Sequence, residues 1–438
     1  MRNIVIFGAG KSSVCLIKEL QHSLKVKSKL TLVALSFSGV PKVLLEHKNT
    51  HTVLLDVSDT LAIEKLIEKQ DLVISMLPAN LHVQIAELCL RYSKNMLTAS
   101  YVSEKMKQLH QKAVAKGVLF LNEMGLDPGL DHMSALSAIA AIKKRGGKLY
   151  SFKSHTGGLV KKSEKTNAWN YKFTWSPMNV VIAGAEGATY LFEGREKEIT
   201  YNRLFGKVEN IEVQSNFYDS YANRNSLNYI KKYGLEDCET VYRGTLRHKG
   251  FCEAWNIFVQ LGMTDNDQQI KLPEESSRKD FLNFFLEDNT AVKAQFCKQT
   301  GIVKGGVVYA KMDQLGLFDE SLILEKTQGT AAQILLAILE HEWKLSAKDL
   351  DCVVMLHEIE YELDGVKQKQ NLSLYVEGED HCYTAMAKTV GLPMYEAAIL
   401  MLQNKIGLTG VQIPTNPIIY NPILKQLKAK AISFTEKF

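Results

Sequence analysis

Ile4-Val5-Ile6-Phe7-Gly8-Ala9-Gly10, near the start of this 438-residue chain, is the stretch that decides the fold class. An apolar, β-branched run, a glycine pair and then helically spaced apolar residues predict a strand, a tight turn and a helix. Gly8 can adopt the positive φ of such a turn, and Gly10 lets the backbone approach a pyrophosphate at the helix N-terminus. Ser13 stands at the third small position, where glycine is usual. We predict a dinucleotide-binding βαβ unit, the alternative being an ordinary strand–turn–helix.

Composition and charge indicate a globular protein of two or three domains. Hydrophobic residues make up 46% of the chain, and Lys and Arg (53) nearly balance Asp and Glu (48), for a net charge of +5. This balance gives no reason to expect nucleic acid or a membrane surface as a partner, and no apolar run reaches transmembrane length. The cysteines are scattered without a Cys-x-x-Cys pair, and the predicted first strand leaves no room for a secretory signal. We expect a cytoplasmic protein without a metal site.

Residues 1–125 alternate between strand and helix patterns, which is typical of a Rossmann-type, doubly wound parallel sheet. After the first strand, the apolar runs are separated by segments with helical spacing. The predicted strands lie at 30–35, 52–55, 71–77, 95–99 and 118–121, and the predicted helices at 59–69 and 80–93.

After Met124 the pattern changes to that of an α+β domain with a helical insertion. A helix is predicted at 131–146, the stretch 253–349 is mostly helical, and a further helix is predicted at 383–402. The Asp364-Gly365 turn signal, flanked by strand patterns, predicts a β-hairpin. The predicted strands lie at 149–156, 171–175, 180–182, 242–245, 353–361 and 371–376. Periodicity alone does not show whether the tail returns to the first domain.

A series of short motifs in a fixed order resembles the glutamate-forming saccharopine dehydrogenase family, also called saccharopine reductase, over nearly the whole chain. The segment that first points to it contains Glu123-Met124-Gly125-Leu126-Asp127-Pro128-Gly129. The matching segments are 76–82, 98–102, 122–132, 157–159, 171–177, 223–226, 243–247, 384–393 and 419–424. The resemblance implies a homodimer and three domains. They are a dinucleotide-binding domain of residues 1–125 and 390–438, an α+β substrate domain of residues 126–252 and 350–389, and a helical insertion of residues 253–349.

The resemblance also implies a reaction. Saccharopine is a secondary amine that joins glutamate to the six-carbon skeleton of lysine. A hydride leaves the carbon next to nitrogen on the lysine-derived side, and the resulting imine is hydrolysed to L-glutamate and 2-aminoadipate semialdehyde. The hydride acceptor is a nicotinamide dinucleotide.

The choice of dinucleotide depends on the residues after the second strand. Fungal-type members of the family carry arginine there, matching a 2′-phosphate, and animal-type members carry aspartate, matching a ribose. This chain has Leu35-Ser36-Phe37-Ser38, without an acidic residue, so we expect NADP, with NAD as the alternative. Asp56 is expected beside the adenine or as a helix N-cap. The predicted cofactor-binding residues are Gly8, Gly10, Lys11, Ser12, Ser36, Asp56, Leu77, Pro78 and Ser100.

The three carboxylates of saccharopine call for arginine, whose planar guanidinium binds a carboxylate through two hydrogen bonds. Arg224, Arg243 and Arg247 lie in the matching segments, with Asn225 and Thr245 as polar helpers. For each arginine the alternative is a solvated or structurally paired side chain. The predicted substrate-binding residues are Tyr101, Asp127, Gly129, Arg224, Asn225, Arg243, Thr245 and Arg247.

Imine hydrolysis needs a group that accepts a proton from water or from the amine. We predict Asp127 and Tyr101 as catalytic residues, because Asp127 follows a predicted strand end where ligands of open sheets bind. The alternatives are a turn-forming aspartate, a packing tyrosine and proton transfer by the substrate amine itself, and His132 is a candidate base by residue type. His357-Glu358 lacks the second histidine of a zinc-binding helix, so no metal site is expected there.

Two segments depart from the family pattern. His155-Thr156 precedes Gly157-Gly158 where Tyr-Cys is usual, and the segment 160–165 is basic where the family is proline-rich and acidic. Two other functions remain open: an imine reductase that makes a polyamine, and a non-catalytic dinucleotide-sensing protein on the same fold. A polyamine site would need acidic residues where this chain offers arginines. The intact catalytic candidates argue against a non-catalytic role.

Overall fold

The computed structural model of this protein describes residues 2–23, 28–162, 167–288 and 291–438. The chain divides into two compact units. The first unit contains the residues up to Lys148 together with Glu362–Lys367 and Leu374–Lys437, and the second contains Leu149–Tyr361 and Gln368–Ser373. The segment 160–165, which departs from the family pattern, lies partly outside the described residues.

The secondary-structure elements of the described residues are numbered in chain order. The strands are β1 Asn3–Phe7, β2 Lys29–Ala34, β3 Thr50–Leu54, β4 Leu72–Ser75, β5 Asn95–Thr98, β6 Leu119–Leu121, β7 Lys148–Val160, β8 Ala188–Phe192, β9 Arg195–Ile199, β10 Val208–Val213, β11 Asn216–Ala222, β12 Arg224–Asn225, β13 Thr240–His248, β14 Gln269–Lys271, β15 Gln328–Thr330, β16 Asp351–Leu363, β17 Val366–Glu377, β18 Gly410–Gln412 and β19 Thr435–Lys437. The helices are α1 Val14–Ser23, α2 Lys42–Leu45, α3 Thr60–Glu68, α4 His82–Arg91, α5 Glu104–Gln108, α6 His110–Ala115, α7 Leu130–Lys144, α8 Pro177–Val181, α9 Tyr201–Leu204, α10 Asn228–Tyr233, α11 Phe251–Leu261, α12 Arg278–Asn283, α13 Val292–Thr300, α14 Val307–Gln314, α15 Ala331–Glu342, α16 Ala385–Leu402 and α17 Pro417–Ala429.

The first unit is built on a parallel sheet whose strands lie in the order β18-β6-β5-β4-β1-β2-β3. β1 lies between β2 and β4, and its residues 4–7 are fully buried. Strands covered on both faces are continuously apolar instead of alternating, which is why this short run is so informative in the sequence. The predicted doubly wound sheet is confirmed.

The C-terminal tail completes this sheet. β18 pairs in parallel with β6, with Gly410 opposite Leu119. His110 in α6 supports the added strand, because its Nδ1 accepts the N–H of Val411 at 3.1 Å. The family-based expectation that the tail completes the sheet is therefore confirmed.

α16 is the one helix in the described part of the chain that is long and apolar enough to cross a membrane. However, 67% of its apolar window is buried inside the protein, as in a core helix. It packs so closely on α1 that a Cβ on Gly391 would stand 2.7 Å from the backbone nitrogen of Leu16. α16 therefore supports the helix that follows the glycine turn.

The second unit is built on strands in the order β10-β11-β13-β7-β16, with β8, β9 and β12 attached to them. β13 runs parallel to β7 and antiparallel to β11. The helices α11 to α15 form the predicted insertion around a core rich in buried aromatic residues, among them Trp169, Trp255 and Trp343. The α+β architecture with a helical insertion is confirmed.

Among the elements predicted after Met124, the hairpin turn is confirmed and two of the strands are wrong. β16 and β17 meet at the predicted Asp364-Gly365 turn, where both residues have positive φ (53° and 77°). The strand predicted at 171–175 is wrong, because these residues form no strand and their rings pack against Trp343. The strand predicted at 180–182 is also wrong, because α8 begins at Pro177, a residue favoured at the first helical position, and runs into this segment.

Candidate active site

The glycine turn after β1 has the geometry that a dinucleotide requires. Gly8 has a φ of 88°, and a Cβ there would stand 2.6 Å from the carbonyl oxygen of Met76. Gly10 has an extended backbone, and a Cβ there would meet nothing within 4 Å. Ser13 donates a hydrogen bond to the carbonyl oxygen of Gly10 at 2.7 Å, which closes the turn that leads into α1. The open space over Gly10 and the adjacent residues 11–12 fits a pyrophosphate.

The loop after β2 packs against the glycine turn. A Cβ on Gly39 would stand 3.3 Å from the backbone nitrogen of Lys11. Ser36 and Ser38 are exposed, and their hydroxyl oxygens lie 3.2 Å apart. Lys42 is exposed at the start of α2. Hydroxyl groups on this loop and an ammonium group at the start of the following helix suit the 2′-phosphate of NADP, whereas a ribose-binding loop would carry a carboxylate.

Asp56 forms a turn and does not cap α3. Its Oδ1 accepts the N–H of Ser58 at 2.8 Å, and this backbone hydrogen bond holds the pKa of the exposed carboxyl below its usual value. The N-cap of α3 is Asp59, whose side chain accepts the N–H of Ala62. The alternative that Asp56 caps a helix is wrong, and its place beside the adenine stays a prediction.

A buried histidine joins the ends of β4 and β5 at the carboxyl edge of the sheet. Leu77 and Pro78 follow β4 here, and Ser100 follows β5. His82 Nδ1 lies 2.8 Å from Ser75 Oγ, and its Nε2 lies 2.7 Å from Ser100 Oγ. Burial lowers the pKa of His82 to about 4, so near pH 7 the ring is neutral, with one donor nitrogen and one acceptor nitrogen. The Ser100 hydroxyl is therefore held in a fixed position.

The structure brings the two predicted catalytic residues together. The Tyr101 hydroxyl donates a hydrogen bond to Asp127 Oδ1 at 2.9 Å, and both side chains are half-buried. They follow β5 and β6 at the edge where ligands of open parallel sheets bind. Gly129 shapes the adjoining turn: its φ is 145°, a Cβ would stand 2.2 Å from the carbonyl oxygen of Gly125, and its N–H donates to Asp131. Its contact with substrate stays a prediction.

In the second unit, a backbone hydrogen bond joins the residue before Arg224 to Arg243. The N–H of Asn223 donates to the carbonyl oxygen of Arg243 at 2.8 Å. Arg224 is exposed and has a φ of 50°, a conformation that costs about 1–3 kcal/mol in a non-glycine residue. Asn225 forms a turn, since its Oδ1 accepts the N–H of Leu227 at 2.9 Å. Such strain is found where a side chain must be held in one place.

Arg243, Thr245 and Arg247 alternate along β13 and therefore share one face of the sheet, which we call the arginine face. The Arg243 guanidinium lies over the ring of Tyr229, 4.2 Å from its centroid. Arg247 is 4% exposed and donates to the Tyr221 hydroxyl at 3.3 Å, while its Nε has no hydrogen-bond partner among the described residues. Burial of a guanidinium group is unfavourable as long as one of its N–H groups lacks a hydrogen-bond acceptor.

His155 and Thr156, which stand where the family usually has Tyr-Cys, lie on opposite faces of the sheet. In the parallel register of β7 and β13, Thr156 lies opposite Thr245, and His155 lies opposite Gly244. Thr156 therefore belongs to the arginine face, where its Oγ1 is buried and has no hydrogen-bond partner within the part of the chain that the structure describes. His155 lies on the other face, with its Nδ1 2.8 Å from Ser220 Oγ. The sequence showed that this pair differs from the family pattern, but only the strand pairing shows that the two side chains lie on opposite faces.

One group in the described residues, Asp380-His381-Cys382, has its nitrogen, sulfur and carboxylate ligand atoms within 4.8 Å of one another. The Asp380 carboxylate accepts the backbone N–H groups of Cys382 and Tyr383, each at 2.7 Å. It therefore forms a local turn. This group was not predicted from the sequence.

Glu123 is a functional candidate whose role the sequence analysis missed. It is 2% exposed, and its Oε2 lies 2.7 Å from Nε2 of the fully buried His132. Its Oε1 accepts the N–H of Val102, the residue after Tyr101, at 3.1 Å. Its place in the motif 122–132 was the available signal, but a motif does not show what a buried carboxylate contacts.

Comparison with known proteins identifies the family. The sequence model of the saccharopine dehydrogenase NADP binding domain matches residues 4–121, and that of the saccharopine dehydrogenase C-terminal domain matches residues 125–432. The NADP-dependent, L-glutamate-forming saccharopine dehydrogenase of Pyricularia oryzae is 30% identical over 422 residues, which cover 92% of each chain. The corresponding protein of Schizosaccharomyces pombe is 28% identical over an alignment that covers 100% of this chain and 99% of that protein. The apo structure of saccharopine dehydrogenase (L-Glu forming) from Saccharomyces cerevisiae has a TM-score of 0.90 at 28% identity, covering 100% of this chain and 99% of that one.

These matches run through both units of the chain. They confirm the predicted resemblance, and the match to an NADP binding domain confirms NADP as the cofactor. The residue assignments within the site stay predictions. The chain belongs to the saccharopine dehydrogenase family.

Proposed function

We propose that this protein is an NADP-dependent saccharopine dehydrogenase that forms L-glutamate. Saccharopine, NADP⁺ and water give L-glutamate, 2-aminoadipate semialdehyde, NADPH and a proton. The C–H bond on the lysine-derived side of the nitrogen breaks with loss of hydride, and the nitrogen loses its proton. Water then adds to the imine carbon, and the C–N bond breaks. Bound NADP supplies the hydride acceptor. The names of the fungal relatives and the residues of both units support this proposal.

The observation that carries the proposal is the 2.9 Å hydrogen bond between Tyr101 and Asp127 at the carboxyl edge of the parallel sheet. A tyrosine hydroxyl held on a carboxylate can pass a proton to it. The pair can therefore accept a proton from water as it adds to the imine and return one to the departing nitrogen of glutamate. The same unit contains the glycine turn, so cofactor binding and proton transfer reside in one unit.

The cofactor would be held by the features after β1 and β2. The pyrophosphate would lie over Gly10 and the N–H groups of residues 11–12, because a Cβ on Gly10 would point into open space. The 2′-phosphate would lie at the loop of Ser36 and Ser38, with Lys42 near its end. These residues orient the dinucleotide, and no acidic side chain of that loop opposes its phosphate.

The arginines of the second unit would bind the substrate carboxylates. Arg247 has a buried nitrogen that no described residue satisfies, Arg243 lies on the same strand face, and Arg224 is held in a strained backbone conformation. A carboxylate can accept two charge-assisted hydrogen bonds from such a guanidinium group. A polyamine substrate would be repelled by these cations, which disfavours the polyamine-forming alternative.

The test is to incubate the purified protein with saccharopine and NADP⁺, follow the nicotinamide absorbance, and identify the products by mass spectrometry. We expect NADPH together with L-glutamate and the semialdehyde. Lysine and 2-oxoglutarate would show cleavage on the other side of the nitrogen and would overturn the glutamate-forming assignment. Absence of NADPH formation would overturn the dehydrogenase assignment itself.

We also propose that the protein is a homodimer in the cytoplasm. The family resemblance supports the dimer, and the scattered cysteines, which form no Cys-x-x-Cys pair, support a reducing compartment. Light scattering on the purified protein tests the dimer, and a monomer mass would contradict it. Microscopy of a tagged protein tests the compartment.

A further inference from the structure

Glu123 bonds to the backbone on both sides of Tyr101. Its main-chain N–H donates to the carbonyl oxygen of Ser100 at 3.1 Å, and its carboxylate Oε1 accepts the N–H of Val102 at 3.1 Å. One residue thus fixes the peptide groups that precede and follow the tyrosine. The Tyr101 hydroxyl in turn donates to Asp127 at 2.9 Å, so the backbone held by Glu123 carries the tyrosine of the proposed proton-transfer pair.

This arrangement is unfavourable for Glu123 itself. Its φ of 58° lies in the left-handed region, which is sterically unfavourable for a residue other than glycine. Its side chain is 2% exposed, and burial of a carboxyl group is also costly unless the group is hydrogen-bonded. His132 meets that need, because its Nε2 lies 2.7 Å from Glu123 Oε2. A strained, buried and partnered side chain next to a reactive pair is typical of a functional constraint.

A second buried side chain holds the same segment. His82 Nε2 lies 2.7 Å from Ser100 Oγ, and its Nδ1 lies 2.8 Å from Ser75 Oγ at the end of β4. His82 is 3% exposed. The residue before Tyr101 is thus tied to the neighbouring strand, and the residue after it is tied to Glu123.

We propose that Glu123, paired with His132, is a positioning residue that holds the Tyr101 hydroxyl on Asp127, with His82 as a second support. The proposal rests on the proposed catalytic role of Tyr101 and Asp127. Glu123 would act through the backbone of residues 100–102, to which it bonds on both sides of the tyrosine. Displacement of a catalytic group by about 1 Å can cost roughly a hundredfold in rate, so the expected effect is on turnover and not on cofactor binding.

The test compares Glu123→Leu with Glu123→Gln in the full-length protein. Glu123→Leu removes the acceptor for the Val102 N–H, and we expect kcat with saccharopine to fall about ten- to a hundredfold while KM for NADP changes less than about twofold. Glu123→Gln keeps an amide oxygen at that place and should restore most of the turnover. A role in stability alone would lower the melting temperature of both variants without separating their kcat values. His110→Gln is the matched control, because His110 bonds to the backbone of β18 and should keep wild-type kcat.

A double substitution shows whether the effect passes through the tyrosine. If Glu123 acts by placing Tyr101, then Glu123→Leu combined with Tyr101→Phe should lose no more turnover than Tyr101→Phe alone. Fully multiplicative losses would overturn the positioning role, and so would wild-type kcat in a folded Glu123→Leu protein.

A second variant covers the case in which Glu123→Leu does not fold. His82→Leu should then show the same fall in kcat, and wild-type kcat in that variant would overturn the proposal. Wild-type kcat in Tyr101→Phe would instead overturn the catalytic assignment on which the proposal rests. Absence of saccharopine oxidation in the unmodified protein would overturn the proposed function.

Discussion

Gly8 and Gly10 belong to the same turn, yet the structure predicts opposite consequences when a methyl group is added to each. Alanine at Gly8 would need a φ of 88° and would place its Cβ 2.6 Å from the carbonyl oxygen of Met76. The left-handed conformation costs about 1–2 kcal/mol and the forced backbone shift a further 1–3 kcal/mol, so Gly8→Ala should lower the free energy of unfolding by about 2–5 kcal/mol. Gly10 has a φ of −110° and open space around it, so Gly10→Ala should leave that free energy unchanged or raise it by about 0.4–1 kcal/mol.

The assay is thermal denaturation of both variants together with calorimetric titration of Gly10→Ala with NADP. The added methyl group on Gly10 points into the space assigned to the pyrophosphate, so we expect the Kd for NADP to rise at least tenfold, equivalent to about 1.4 kcal/mol. Gly8→Ala serves as the control that separates loss of fold from loss of binding. NADP affinity equal to that of the wild type in Gly10→Ala would refute the assigned pyrophosphate site. An unchanged melting temperature in Gly8→Ala would refute the argument from turn geometry.

Other substitutions test the remaining parts of the site. Ser36→Asp should shift the preference toward NAD, because a carboxylate repels a 2′-phosphate and can bond a ribose, and an unchanged NADP/NAD ratio of kcat/KM would place Ser36 away from the ribose. Arg224→Lys should lower kcat/KM for saccharopine about ten- to a hundredfold with little change in NADP affinity, because an ammonium group cannot form the paired hydrogen bonds. Asp127→Asn should lower kcat and flatten one limb of the pH–rate profile, and full activity with an unaltered profile would leave Tyr101 or the substrate amine as the proton carrier. Burial alone would raise the pKa of Glu358, but His155, whose Nε2 lies 3.6 Å from the carboxylate, and the Lys369 ammonium group, which donates to it at 2.6 Å, lower it to about 2. Its contribution to stability is therefore complete above its unfolded pKa and is lost as the pH falls toward 2. Glu358→Gln should melt lower than the wild type near neutral pH, and the difference should vanish in acid.

The local sequence determined the elements whose patterns depend on near neighbours. The run at 4–7 specified a buried strand because each of its side chains is apolar, and a strand covered on both faces needs that composition. Asp364-Gly365 specified a hairpin because its positive φ values suit these residue types. The order of the motifs indicated the family, and the absence of an acidic residue after the second strand favoured NADP. Tyr101 and Asp127 were selected as catalytic candidates because both lie in those motifs and Asp127 also follows a predicted strand end.

Tertiary structure alone decided which distant residues meet. β9 is largely charged and exposed, so its sequence shows no strand alternation, and it is a strand because it pairs with β8. β18 is a strand because the edge of β6 accepts it. Hydrogen bonds between segments far apart in sequence place His155 and Thr156 on opposite faces of the sheet. Such bonds also connect Glu123 to the backbone around Tyr101. Short-range periodicity reports which side of an element is buried, but it carries no information about the partner on that side. That partner is chosen only when the whole chain packs.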